Sequence, residues 1–149
     1  MNLLILWLHV LGVVVWMGGV MYQAHVLWPL ARRGAVATVA DAAARGRIVG
    51  WVALSIVVLT GFYNVTTLGP LDKVMQSGAA LLLAGKFALA LVAVTMAVQR
   101  DWTQVTKLRI AVATGQDPLP VLRTIAWLDR LTLLIALVIV YLGLAISRA

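Results

Sequence analysis

The 149-residue chain contains no cysteine and no glutamate, and only 11% of its residues are charged. Without thiols there can be no disulfides, thiolate zinc sites, iron–sulfur clusters or cysteine nucleophiles, and cysteine usage is silent on the redox compartment. Acidity is confined to five aspartates, Asp41, Asp72, Asp101, Asp117 and Asp129, which are expected to lie in loops. Gly-rich phosphate loops, zinc-binding helix motifs, serine elbows and carboxylate pairs are all missing, which argues against hydrolase and NTPase chemistry. What the chain has in excess is apolar: 63% of it is hydrophobic, against roughly 45–50% for a soluble domain. With a mean hydropathy of +1.02, it reads as an integral membrane protein.

Four apolar runs, 2–30, 48–68, 78–98 and 125–146, are each long enough to cross ~30 Å of hydrocarbon as a helix. The runs are continuous and rich in Leu, Val and Ala, so helices rather than barrel strands satisfy the backbone. The expected fold is all-α, an integral membrane four-helix bundle forming one domain over residues 1–149. Arg32, Arg33, Arg45 and Arg47 flank the first loop and Arg100, Lys107, Arg109, Arg123 and Arg130 the third, whereas only Lys73 and Arg148 lie on the other side. By the positive-inside rule both termini are then non-cytoplasmic, in a bacterial cytoplasmic membrane. The net charge of +7 is spent on topology and lipid headgroups, and nucleic acid is not an expected partner. Residues 35–44 are expected to extend the second span, and the third to run on to Gly115. Asp117 reads as an N-cap and Pro118 as the first residue of the last helix.

Sorting intramembrane polar residues by depth, at ~1.5 Å of rise per residue, puts several of them in one layer. His9 lies about 10 Å and Lys86 about 12 Å from the outer ends of their spans. Thr60, Asn64 and Tyr141 fall at a similar level. A lysine near mid-span costs about 2.5–3.5 kcal/mol on the lenient insertion scale, and with every Asp in a loop no carboxylate offsets it. Lys86 must snorkel, lose its proton, or meet an anion the protein does not supply. Ala79, Ala90, Ala93 and Ala97 share its face, which allows close helix packing or leaves room for a flat cofactor. His9 shares a face with Gly12, Val13 and Trp16; it either hydrogen-bonds a neighbouring helix or ligates a metal. Imidazole with a nearby cation suits haem and its propionates. His25 is 16 residues further on, about 24 Å away along the helix, so it cannot join His9 at one iron. Met17, Met21 and His25 recur at intervals of four and form an alternative, soft set of ligands for copper(I).

Several short motifs resemble the copper-resistance D (CopD) family and its relatives, which include the HemJ type of protoporphyrinogen oxidase. They are His9-Val-Leu-Gly, Trp16-Met-Gly-Gly and Pro29 in the first span, Gly50-Trp51, Leu59-Thr60-Gly61 and Asn64 in the second, and Leu81 to Leu89 around Lys86 in the third. The resemblance implies a membrane protein binding haem b, with His9 as axial ligand and Lys86 near haem or substrate. The chain departs from the HemJ pattern in carrying His25 where an Arg is expected and in lacking an Asn-Glu-Pro signature near the fourth span. The expected function is therefore a redox one, electron transfer or a haem-dependent oxidation of a small or tetrapyrrole substrate. Lys86 would be the catalytic group, with Asn64, Tyr141 and Trp16 beside the cofactor. A homodimer packed through glycines such as Gly12 and Gly19 and a quinone or other redox partner go with that reading. The alternative is copper transport or resistance through Met17, Met21 and His25.

Overall fold

The computed structural model describes residues 2–67 and 79–146, and among them the chain is almost entirely helical, with no strand. Helix α1 spans Leu3–Tyr22, α2 Trp28–Leu30, α3 Val36–Thr66, α4 Ala79–Val98, α5 Val105–Thr114 and α6 Leu119–Ile146. Wider π-helical turns at Gln23–Leu27, Ala31–Ala35 and Gln99–Gln104 join them. Three stretches, Leu3–Thr66, Ala80–Thr114 and Leu119–Ala145, are long and apolar enough to cross a membrane. The expected connection 69–77 with Lys73, the span limits at Leu68 and Gly78, and Arg148 all lie outside the described residues.

Local chemistry sets the ends of these elements. The Asn2 side chain accepts from Leu4 N–H at 3.0 Å and starts α1. The first long stretch folds back on itself at Gly34, whose φ of 111° is open to glycine and strained for residues with a Cβ. Residues 36–44 do extend the second helix, which begins at Val36 and runs unbroken to Thr66. Gly115, at φ 68°, ends α5 in the left-handed conformation. Asp117 then accepts from Leu119 N–H at 3.0 Å, acting as the cap its sequence position indicates.

Helix α1 packs along α3 and α4 along α6, and the two pairs meet more sparsely, chiefly through α1 and α6. Gly12 lets α1 and α3 approach closely: a Cβ there would lie 2.9 Å from Val57 Cγ2 and 3.2 Å from the Ala53 carbonyl oxygen. That glycine is consumed inside the chain and is not on a face open to a second copy; Gly19 is exposed, with no atom near its missing side chain. Midway along, Trp16, Val20, Ala53, Leu54, Ala93, Ala97 and Ala136 form a core between the pairs. A second core of Trp28, Ala31, Val39, Ala40, Ala43, Leu108, Leu122 and Ile125 closes the Gly34 end. Small residues let the backbones approach, so packing rather than large side-chain volume holds the middle of the molecule.

The aspartates correct the sequence reading. Asp101 and Asp129 are not loop residues: both are helical and buried, with Asp129 only 1% exposed. Arg100, also buried, donates through Nε to Asp101 Oδ1 at 2.8 Å and through Nη1 to Asp129 Oδ1 at 3.0 Å. Trp28 donates its indole N–H to Asp129 Oδ2, and Trp51 donates to Asp101 Oδ2 at 2.7 Å. Each of the four carboxylate oxygens therefore accepts a hydrogen bond, and the network ties α2, α3, α6 and the turn after α4 together.

Candidate functional site

Toward the opposite end, α1 and α3 place His9 and Thr60 together, with His9 Nδ1 2.9 Å from Thr60 Oγ1. The direction of that bond follows from the threonine's other contacts. Thr60 Oγ1 donates to the Ile56 carbonyl one turn back, with the Val57 carbonyl 3.3 Å away. Carbonyl oxygens only accept, and a hydroxyl has one proton, so that proton is committed to the helix backbone. Thr60 then accepts from His9 Nδ1–H, so in the neutral imidazole Nε2 is the nitrogen that carries the lone pair. A neutral imidazole with its second nitrogen anchored is the arrangement metal-binding histidines use. The neighbouring Gly61 leaves room for the ring, since a Cβ there would sit 3.3 Å from His9 Cε1.

Lys86, on α4, faces the same region from the other helix pair. It is half-buried and near enough to His9 for its charge to act on the imidazole. Its Nζ would lie 3.4 Å from a Cβ on Gly143 of α6, so the missing side chain at 143 is what gives the ammonium space. Among the described residues no carboxylate pairs with it. Phe62 of α3 and Phe87 of α4 stack across the seam between the pairs, with centroids 5.2 Å apart. His9 and Lys86 thus sit on opposite sides of the sparsely packed seam.

The remaining candidates are distributed unevenly. Asn64 lies one turn beyond Thr60 on α3, and its Oδ1 is buried with no hydrogen-bond partner among the described residues. An unpaired buried acceptor is costly, so this oxygen calls for a donor. Tyr141 is 71% exposed on α6 and points away from the packed interior. Trp16 is buried in the mid-molecule core, two turns from His9 along α1.

Met17, Met21 and His25 do come together, on one wall of a groove of about 520 Å³ between α1 and α6. Gly18 shares that wall, and Arg130, Leu133, Leu134 and Leu137 form the other. His25 Nδ1 lies 3.0 Å from the Met21 carbonyl oxygen, so it too must be the protonated nitrogen. No group of three or more His, Cys, Asp or Glu side chains able to hold a metal occurs among the described residues.

The Arg100–Asp101–Asp129 network, with its two tryptophans, is the constellation that sequence reasoning missed. Its signal was present in Asp129, a lone acid inside an otherwise apolar run, and in the adjacent Arg100-Asp101 pair. With every carboxylate oxygen satisfied, it holds helices rather than offering a site. A scan of protein-family models, a search of the curated proteins and a search of the solved structures each returned no match.

Proposed function

We propose that this chain is a four-span membrane protein that holds haem b between its two helix pairs and serves a redox role. The observation that carries the reading is the anchoring of His9 Nδ1 on Thr60, which in the neutral imidazole leaves Nε2 as the nitrogen able to hold a metal. The rest of the site fits a flat, dianionic cofactor. Gly61 and Gly143 give the His9 ring and the Lys86 ammonium their room at the seam, and Lys86 offers a propionate a cation that no carboxylate pairs with among the described residues. When bound, haem would supply a one-electron iron couple whose potential the axial ligand and nearby charge set. His9 would hold the iron through Nε2, and Lys86 would bind a propionate or move a proton at the seam. In this reading both termini are non-cytoplasmic, the membrane is a bacterial cytoplasmic one, and a quinone or protein partner exchanges the electrons. A dimer would use the exposed Gly19 face rather than Gly12.

Absorption spectra of the detergent-purified protein, oxidised and dithionite-reduced, test this directly. The wild type should show a Soret band and sharp reduced α and β bands near one haem per chain. His9→Ala should lose them, and Lys86→Met should keep haem with a shifted potential. An unaltered haem spectrum in His9→Ala refutes the assignment. A second reading, copper(I) handling, has in its favour that Met17, Met21 and His25 line one groove, and against it the Arg130 cation on the facing wall. Copper measured on the same sample, with Met21→Leu and His25→Ala, decides between them.

A further inference from the structure

The groove between α1 and α6 lies outside the His9–Lys86 site and has a defined polarity of its own. On α6, Arg130, Leu133, Leu134 and Leu137 follow the i, i+3, i+4, i+7 pattern, so they form one continuous face. Met17 and Met21 on α1 and His25 in the π-helical turn that follows it form the facing wall at intervals of four, with Gly18 beside Met17. The helices are antiparallel here, which puts His25 and Arg130 at one end and Met17 and Leu137 at the other. Over seven residues the leucine wall extends about 10 Å from Arg130. The result is an apolar trough headed by a guanidinium.

Among the described residues nothing neutralises that guanidinium. The three ion pairs among the described residues are Asp41–Arg45, Arg100–Asp101 and Arg100–Asp129, and Arg130 belongs to none of them. Its neighbour Asp129 is turned inward and fully occupied by Arg100 and Trp28. A cation in the groove would be repelled by Arg130. Nor can the three soft ligands meet at one ion, since Met17 and His25 are separated by about 12 Å of helix. An occupant must instead combine a hydrocarbon body with an anionic head.

We propose that the groove is a binding site for an anionic phospholipid, whose phosphate is held by Arg130 and whose acyl chain lies along Leu133, Leu134 and Leu137 against Met17 and Met21. His25 flanks the headgroup end, its ring set by the bond to the Met21 carbonyl. Met side chains adapt their shape to a flexible chain, and Gly18 gives the trough its depth. A basic residue at the mouth of an apolar groove between membrane helices is the usual form of an acidic-lipid site. The site depends on the chain's being a membrane protein and not on haem.

Native mass spectrometry of the full-length protein in detergent, with phosphatidylglycerol or phosphatidylcholine of identical chains, tests the proposal. The wild type should retain one phosphatidylglycerol with about fivefold preference over phosphatidylcholine, the factor for one basic side chain near the headgroup. Arg130→Gln should erase the preference. Gly18→Leu should block both lipids: a Cβ at 18 meets no protein atom within 4 Å, so the backbone there accepts a side chain and the leucine takes up groove space. His9→Ala should leave lipid retention unchanged, which separates this site from the haem reading. An undiminished preference in Arg130→Gln, lipid retained by Gly18→Leu, or copper(I) or a second chain held in the groove in place of lipid would overturn it.

Discussion

Replacing Arg100 by glutamine removes the single cation from a buried cluster that contains two carboxylates. The side chains are 8% exposed for Arg100, 6% for Asp101 and 1% for Asp129, so solvent screens the charges little. After the substitution Asp101 keeps only the Trp51 indole donor and Asp129 only that of Trp28. Breaking a buried pair by deleting one partner costs about 3–5 kcal/mol, because the orphaned charge stays desolvated. For a chain of about this length 1 kcal/mol is roughly 2–4 °C of melting temperature, so Arg100→Gln should lower Tm by about 6–20 °C. Asp129→Asn acts in the other direction on charge, leaving one carboxylate against one guanidinium, and its amide oxygen can still accept from Trp28. Its cost should be the smaller, about 1–3 kcal/mol for imperfectly replaced hydrogen bonds. Thermal unfolding in one detergent, followed by tryptophan fluorescence, measures both; Trp28 and Trp51 are themselves reporters of the network. A Tm within about 2 °C of wild type for Arg100→Gln, or a larger loss for Asp129→Asn, would refute the view that this cation holds the helices together.

Four further substitutions, at Thr60, Gly12 and Gly19, separate packing from ligation. If His9 holds haem as proposed, Thr60→Val removes the acceptor that orients it and should weaken haem binding by about 10–100-fold, while Thr60→Ser retains it; haem titration of the purified apoprotein gives the ratio. Gly12→Ala forces a Cβ to 2.9 Å from Val57 and should destabilise the α1–α3 contact by about 1–3 kcal/mol. Gly19→Ala meets open space and should fall within about 0.5 kcal/mol of wild type in the same unfolding assay.

Sequence alone determined the class of the molecule. A chain 63% hydrophobic, without glutamate, has no route to a soluble core, and backbone hydrogen bonding in hydrocarbon leaves continuous apolar runs only the helix. Caps were legible because they are local: Asp117 before Pro118 and Gly115 at a left-handed position act within a few residues of chain. His9 and Lys86 stood out because polar side chains at mid-span are expensive wherever the helices go. Partnership was another matter. That Thr60 would accept from His9, that Gly143 would clear space for Lys86, and that Gly12 would be consumed within the chain depend on how helices far apart in sequence rotate and approach. The same holds for Asp101 and Asp129, read as loop acids until their partners on three other segments appeared. A residue's depth follows from counting along one helix; its neighbours follow from the packing of several, and only the tertiary structure fixes which faces meet.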